Sequence, residues 1–425
     1  MQQTVKKTNI LQKIWYLLLA VGPGIFCIGY TIGTGSVTSM AKAGSQYGMQ
    51  LLWVLILSCL FAWTLMEAYG RYAIITGKSA VYSFKTEMKF GKVLAILLII
   101  GIVSGQWNSL SGIVGLSANA LYEITRLFFP GLSATNYWAI LGIAIAMLII
   151  LYSLLIVGQY SFFEKILVIF VTIMGISFLI SMFMVFPDPS EIAKGLVISI
   201  PSDPEGKLMV AAFVGTTMAA PTFVVRPLLM QGKGWGQAHV KDQAQDAFIS
   251  ALLMFVISAS IMTTATGVLF KEGKTITKVI DMVYTLEPVA GKFSVALFMT
   301  GALSAGISSV FPILMVAPLL VADYKEGKLD TSSKLFKGLT AVACVVGLSV
   351  PIMGANPIVA QIATQVANVF ILPLVIAGII YLINQKSKMG EHKAGWLLNA
   401  GLIAALIFSC VISYTGVLAL LEFFQ

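Results

Sequence analysis

Long apolar runs alternate with short polar segments along nearly the whole chain. Most runs reach about 20 residues, the length that a helix needs to cross the hydrocarbon core of a bilayer. The pattern predicts an all-α polytopic membrane protein with eleven spans. These spans cover residues 14–42, 48–75, 93–122, 137–157, 163–186, 207–231, 247–270, 288–322, 336–354, 357–383 and 396–422.

Composition agrees with a single membrane domain, because 58% of the 425 residues are hydrophobic and only 11% are charged. The net charge of +9 could suggest nucleic-acid binding, but the basic residues lie in short loops between spans, as topology determinants do. We therefore expect a lipid bilayer and a small-molecule or ion substrate as partners, no nucleic acid, and a monomer.

The charged loops also predict an orientation in the cell membrane. Lysines recur in alternate loops, which the positive-inside rule assigns to the cytoplasm together with the tail of residues 1–13. These lysines are Lys78, Lys85, Lys89, Lys92, Lys165, Lys233, Lys241, Lys325, Lys328, Lys334, Lys337, Lys386, Lys388 and Lys393. The acidic loop with Asp188, Glu191, Asp203 and Glu205, and the C-terminus, are then expected outside.

Two spans are interrupted near their middles. The first contains "GYTIGTGSVTS", in which Gly33 and Gly35 each weaken a helix by about 1 kcal/mol relative to Ala. The sixth contains "GTTMAAPTFVVRP", in which Pro221 removes a backbone donor. Unwound backbone is tolerated at membrane depth only where it is buried in protein or lines a cavity. Both segments are therefore predicted to break, at residues 33–36 and around residues 218–222, at a site inside the protein.

The interrupted spans are five apart, which predicts two inverted five-helix repeats. The first repeat would cover residues 14–186 and the second 207–383, with an additional span at 396–422. In such folds the broken helices meet at a central substrate site. The predicted substrate-binding residues are Gly33, Thr34, Gly35, Ser36, Thr216, Thr217, Met218, Ala219, Pro221 and Thr222. The alternative is that the glycines only permit close helix packing.

Several stretches resemble the Nramp divalent-metal transporters. The stretches are the Gly-Pro-Gly start, "AGSQYG", "LLW" and "TGK" within residues 22–79, then "VGTTMAAPTFVVRPLLMQ", "LFMTGALSAGISSVF" and "ATQVANVFILPLVIAGIIYLINQKSKMGEH". The resemblance covers nearly the whole chain. It implies the leucine-transporter fold, with broken helices one and six and transport by alternating access.

The departures from the Nramp pattern fall where the resemblance implies metal ligands. Gly33 and Ser36 stand in place of the family's Asp and Asn, and Ala219 and Pro221 in place of its Met and His. Further departures are Gln106 and Ser109 for acidic residues of the third helix, Arg226 for a His of the sixth, and Ile371 for a Gln of the tenth. No metal ligand set is therefore expected in the chain.

These departures favour a secondary transporter of a small zwitterionic or anionic organic solute, such as an amino acid. Half-helix N–H groups would bind its carboxylate, and the small residues Gly33 and Ala219 would leave room for its body. The first alternative is a divalent-cation transporter, for Mg²⁺ or Mn²⁺, that binds a hydrated ion. The second is a ligand sensor that does not transport. No catalytic motif or phosphate loop is present, so neither an enzyme nor a cofactor is predicted.

Five more polar residues are candidates for coupling or gating: Glu67, Gln106, Asn108, Arg226 and Gln365. Glu67 could bind a proton or cation, or could pair with Arg71 one turn away. Arg226 could serve as a gate or an anion contact, but its position before a lysine-containing loop favours a snorkelling side chain slightly more.

Overall fold

The computed structural model describes residues 23–133, 136–157, 160–277, 281 and 287–424. The tail 1–13 and the start of the first predicted span lie outside the described residues. The helices are α1 (Gly24–Thr31), α2 (Thr34–Tyr47), α3 (Leu52–Thr76), α4 (Ala80–Glu87), α5 (Gly91–Phe128), α6 (Tyr137–Val157), α7 (Tyr160–Met184), α8 (Pro189–Lys194), α9 (Pro204–Thr217), α10 (Ala220–Gly232), α11 (Val240–Ala265), α12 (Glu287–Glu326), α13 (Lys334–Gly347), α14 (Ser349–Met353), α15 (Pro357–Val369), α16 (Leu372–Ile383), α17 (Lys386–Met389) and α18 (Trp396–Phe424). A π-helical turn at Thr266–Phe270 extends α11.

The predicted spans correspond to these helices. Ten helical segments of the described chain are long and apolar enough to cross a membrane. The first predicted span is present as α1 and α2, which are 8 and 14 residues long and separately too short to cross. The polytopic, all-helical architecture is therefore confirmed for the described residues.

Burial, rather than hydrophobicity, distinguishes the central helices from the peripheral ones. The most apolar window of Pro204–Gly232, which holds α9 and α10, is entirely buried inside the protein, whereas that of α6 is 28% buried. An apolar side chain can face lipid or protein at similar cost, so hydropathy alone does not separate these two environments. The interrupted sixth span lies at the centre of the bundle.

Two further spans that we predicted as continuous are interrupted in the structure. The ninth is divided between α13 and α14, and the tenth between α15 and α16. Pro351 and Pro373 lie in the first turns of α14 and α16, where the missing N–H group needs no partner within the helix. Proline alone did not identify these breaks, since α12 continues through Pro312 and Pro318.

The packing of the long helices surrounds the interrupted ones. α15 packs against both α5 and α9, and α12 packs against α1, α5 and α7. α11 packs against α1, α2 and α3. The ends of α1, α2, α9 and α10 therefore meet inside the protein, where side chains from α5, α12 and α15 can reach them.

Candidate substrate site

The break in the first helix consists of Ile32 and Gly33, between the end of α1 and the start of α2. We predicted an unwound segment over residues 33–36. The unwound segment is shorter in the structure, because helical geometry resumes at Thr34 and Gly35 lies in the first turn of α2. The first-turn N–H groups of α2 consequently lack helical partners at this point.

The reason for the glycines is steric rather than conformational. Gly33 has φ −92° and ψ −168°, which is extended backbone open to any residue. A Cβ atom at Gly33 would lie 2.1 Å from the Oγ of Ser309, and one at Gly35 would lie 2.4 Å from the Nε2 of Gln365. Ser309 also donates a hydrogen bond of 2.5 Å to the carbonyl of Gly29. The space that we expected Gly33 to leave for an organic solute is therefore filled by α12 in this conformation.

The break in the sixth helix consists of Met218 and Ala219, between α9 and α10. Pro221 and Thr222 lie in the first turn of α10, and the Thr222 N–H donates to the carbonyl of Ala219 at 3.0 Å. Proline is accommodated here because the first turn of a helix has no intrahelical acceptors for its N–H groups.

Hydroxyl groups connect the two breaks directly. The Ser36 hydroxyl donates to the carbonyl of Thr31 at 2.6 Å and lies 2.8 Å from the Thr216 hydroxyl, which is itself 3.4 Å from the same carbonyl. The hydroxyls of Thr31 and Thr222 lie 3.4 Å apart. The prediction that the two broken helices face each other agrees with these contacts.

A small cavity lies where the breaks meet. Its volume is about 10 Å³, close to the space needed for one water molecule. Both α1 and α9 present their C-terminal ends to it, and α2 and α10 begin beside it, so helix-end carbonyls and first-turn N–H groups both lie near the cavity. The lining residues are Tyr30, Thr31, Gly33, Gly35, Gln106, Ser109, Ile113, Thr216, Ala219, Ile313, Gln365 and Asn368.

Neutral polar side chains form one side of this cavity, which we call the amide wall: the amides of Gln106, Gln365 and Asn368 and the hydroxyl of Ser109. Gln106 Nε2 donates to Asn368 Oδ1 at 3.2 Å, and Asn368 Nδ2 donates to Gln365 Oε1 at 3.2 Å. Gln365 Nε2 lies 3.5 Å from the Ser109 hydroxyl. The lining also includes Tyr30, whose buried hydroxyl has no hydrogen-bond partner among the described residues. The site offers hydroxyl, amide and carbonyl oxygens, and none of the described lining side chains carries a charge at neutral pH.

Many of the predicted site residues meet here. Gly33, Gly35, Thr216, Ala219, Gln106 and Gln365 line the cavity, and Ser36 and Thr222 contact lining residues from just behind it. Thr217, Met218 and Pro221 are buried beside the second break without lining the cavity. Thr34 begins α2, but its side chain lies outside the described residues.

Tyr30, Thr31, Ile113, Ile313 and Asn368 also line the cavity and were not predicted as site residues. Tyr30 and Thr31 immediately precede the break, and Asn368 follows Gln365 by three positions on the same face of α15. Helical periodicity around Gln365 could therefore have identified Asn368.

Asn108 lies away from the cavity that Gln106 and Gln365 line. Its side chain is exposed and donates to the carbonyl of Ser104 at 3.0 Å. Gln106, two residues earlier, is buried in the amide wall. Positions two apart on a helix point in nearly opposite directions, so only one of them can face the cavity.

Glu67 forms the ion pair that was one of its two predicted roles. One carboxylate oxygen accepts hydrogen bonds from Arg71 Nε at 3.0 Å and from an Arg71 terminal nitrogen at 2.5 Å. The other oxygen accepts from Gln243 Nε2 at 2.5 Å. Glu67 lies outside the cavity lining.

The expectation that the Arg226 side chain snorkels to water is wrong. It is completely buried and forms an ion pair of 2.6 Å with the equally buried Asp246 of α11. Snorkelling needs a path to water, whereas α1, α3 and α12 pack against α10, and Gln243 and Asp246 of α11 accept hydrogen bonds from Arg226 itself.

Comparison with known proteins identifies the family. The profile described as Nramp, natural resistance-associated macrophage protein-like, matches residues 24–419. The chain belongs to the Nramp family. A divalent metal cation transporter MntH of Vibrio campbellii is 23% identical, with 97% of this chain and 95% of that protein covered. The MntH of Bacillus subtilis is 24% identical, with coverages of 92% and 90%.

Solved structures support the leucine-transporter fold. A mutant of the Eremococcus coleocola manganese transporter aligns with a TM-score of 0.73 at 15% identity, covering 98% of this chain and 89% of that one. MhsT in complex with L-phenylalanine aligns with a TM-score of 0.64 at 12% identity, covering 95% and 97%. At these identities the likeness is one of fold, so the substrate must be argued from the site of this chain.

Proposed function

We propose that this Nramp-family protein is a secondary transporter of a divalent metal cation, and that it binds the ion through neutral oxygen groups with part of its hydration shell retained. This was our first alternative to an organic solute. The curated relatives with which it aligns over nearly its full length are named divalent metal cation transporters.

The observation that carries the proposal is the donor set around the cavity. Two helix C-terminal ends and the oxygen-bearing side chains of the amide wall line the same cavity, beside the first turns of α2 and α10. Helix C-termini and released carbonyls favour cations, which is how half-helices bind ions in transporters of this fold.

The chemistry of the donors favours a hard ion that keeps its water. Mg²⁺ takes oxygen ligands, gives up its water reluctantly and is commonly bound with several waters in place. Hydroxyl and amide oxygens can accept hydrogen bonds from those waters without stripping them. Soft sulfur or imidazole ligands, which favour transition metals, are absent among the described lining residues.

The small cavity volume leaves no room for a hydrated ion in the described conformation. A hydrated ion is larger than one water molecule, so binding requires the broken helices or the amide wall to move apart. Alternating access provides such a movement, because one repeat rocks against the other around a fixed site.

Reconstitution into liposomes tests the proposal. With a magnesium-sensitive dye inside, we expect uptake of Mg²⁺ that saturates with external concentration, and no competition by a mixture of amino acids. Parallel arms with Mn²⁺ and Ca²⁺ define selectivity. Inhibition or counterflow by an amino acid would instead support the organic-solute prediction. Thermal stabilisation by Mg²⁺ without uptake would support the sensor.

A matched pair of variants ties uptake to the site. Asn368→Leu removes an amide from the cavity, while Asn108→Leu makes the same change on the exposed face of α5. Loss of one buried polar contact should reduce the apparent affinity for Mg²⁺ by about tenfold in the first variant. Equal behaviour of the two variants would show that the amide wall does not hold the ion.

A further inference from the structure

A buried ion pair lies below the cavity, on what we call the lysine-rich side, where the loops with Lys78, Lys233 and Lys325 emerge. Arg226 of α10 and Asp246 of α11 are both fully buried, with an Arg226 terminal nitrogen 2.6 Å from Asp246 Oδ2. Both carboxylate oxygens of Asp246 also accept the N–H of Gly24 at 3.1 Å. One carboxylate thus connects α10, α11 and the start of α1.

We infer that Arg226 and Asp246 form a clasp that closes the transport cavity on the lysine-rich side by holding the start of α1. The eight residues of α1 span about 12 Å, and its far end carries Tyr30 and Thr31 of the cavity. Release of Gly24 from Asp246 would free this half-helix to swing away and uncover the cavity. Arg226 and Asp246 are positioning residues in this scheme, since neither lines the cavity.

Gly24 is the position at which α1 approaches α11 closely. A Cβ atom on Gly24 would lie 1.9 Å from the Ser250 hydroxyl oxygen and 2.6 Å from Asp246 Oδ1. Any side chain at Gly24 would therefore separate α1 from α11. The dependence of the contact on a residue without a side chain distinguishes it from the ordinary apolar packing around it.

An ion pair is better suited than an apolar interface to a contact that must open and close. A buried ion pair contributes little net stability compared with an apolar replacement, because both charges lose their hydration. Once α1 moves away and water enters, however, both charges can be hydrated, so the open state is less costly than exposing an apolar interface. The Nε of Arg226 has no partner among the described residues, so this guanidinium is incompletely satisfied in the closed state.

A hydrogen-bonded chain leads from the clasp towards the surface. Arg226 also donates to the backbone carbonyl of Gln243 at 3.4 Å, and the Gln243 side chain donates to Glu67 at 2.5 Å. Glu67 in turn pairs with Arg71, whose side chain is 27% exposed. The clasp is therefore connected through α11 and α3 to the lysine-rich side, from which water would enter.

Cys27 provides a native reporter of the opening. It lies one turn after Gly24 and is fully buried, with its sulfur 3.7 Å from the Thr222 carbonyl and 3.8 Å from an Arg226 nitrogen. Movement of α1 away from α10 would expose this sulfur. The other three cysteines, Cys59, Cys344 and Cys410, can be replaced by serine so that Cys27 is the single thiol.

The experiment measures the rate at which a membrane-impermeant maleimide modifies Cys27 in liposomes, with the reagent on one side at a time. We expect Asp246→Asn to accelerate modification from the lysine-rich side by about tenfold or more, because the neutral amide is a weaker partner for both Arg226 and Gly24. Modification from the opposite side should not change. No acceleration, or equal acceleration from both sides, would overturn the clasp.

Asp323→Asn is the matched control. Asp323 is also fully buried on the lysine-rich side, but it accepts hydrogen bonds from Ser79, Val81 and Tyr82 at the start of α4. The same chemical change there can lower stability without releasing α1. Equal exposure of Cys27 in both variants would mean that general loosening, and not the clasp, explains the result.

A double variant covers the case in which Asp246→Asn does not fold. Arg226→Met with Asp246→Leu removes both charges together and leaves no unpaired one, so the bundle should remain folded. Gly24 still loses its acceptor, so Cys27 should again be modified faster from the lysine-rich side. If Cys27 in the folded double variant is modified at the same rate as in the parent protein, the inference is refuted. The assay needs no substrate, so its outcome is independent of which solute is transported.

Discussion

The broken helices are held at two ends, and the two sets of contacts differ in kind. On the lysine-rich side, the dry pair Arg226–Asp246 holds α1. At the opposite end, which we call the acidic-side bridge, α2 meets the start of α9 through three partly exposed contacts. These contacts are Lys42–Glu205 at 2.6 Å, Gln46–Glu205 at 2.8 Å and Tyr47–Asp203 at 2.6 Å.

The difference predicts two kinds of opening. A buried charge pair is all-or-none, since removal of one partner leaves the other charge without water. Exposed pairs are each worth about 0–1 kcal/mol and can be replaced one by one by water. The acidic side should therefore loosen gradually and respond to salt, whereas the lysine-rich side should resist opening until α1 moves as a unit.

The largest effect is expected from breaking the clasp asymmetrically. Among the described residues, Arg226→Met leaves the buried Asp246 carboxylate with the Gly24 N–H as its sole hydrogen-bond donor, which should lower the free energy of unfolding by about 3–5 kcal/mol. Thermal unfolding in detergent would measure this. The matched change on the acidic side, Glu205→Gln, should cost less than about 1 kcal/mol. Similar losses of unfolding free energy in the two variants would contradict the contrast between a buried contact and a solvent-exposed one.

An intermediate effect is expected at Gly33, which lies between the two ends. Gly33→Ala places a methyl group against Ser309 and should lower stability by about 1–3 kcal/mol through overpacking. Ser309→Gly in the same chain should recover most of this loss. Full stability and normal uptake in Gly33→Ala alone would contradict the close packing of α12 against the break.

The smallest effect concerns the pH dependence of the acidic-side bridge. Burial acts to raise the pKa of Asp203, but hydrogen bonds from Tyr47 and from the Gly206 N–H outweigh it and hold the pKa below its ordinary value of 3.8. A lowered pKa in the folded state contributes stability above that ordinary value, which is lost as the pH falls through the folded value.

Tyr47→Phe should therefore lower the melting temperature slightly at pH 7 and hardly at all at a pH below the folded pKa of Asp203. Melting curves at several pH values would show whether the difference between the variant and the parent vanishes on acidification. A difference that persists unchanged in acid would mean that the Tyr47 hydroxyl stabilises the bridge through something other than the ionised Asp203.

The spans and their two central interruptions could be predicted because their causes are local. A run of about 20 apolar residues can span a bilayer whatever its neighbours are, and Pro221 removes a donor from any helix. The positions of the breaks were less accurate, and Gly35 proved to be helical. Its lack of a side chain serves the contact with Gln365, which lies 330 positions away in the sequence.

What only the tertiary structure decided is which side chains meet. The sequence by itself determined the membrane class, the approximate spans and the region of the site, since hydropathy and backbone donors are properties of short segments. It could not determine that Arg226 is dry and paired with Asp246, or that Ser309 fills the space beside Gly33. Apolar helices can face lipid or protein at similar cost, so the partner of a buried charge depends on how distant helices pack.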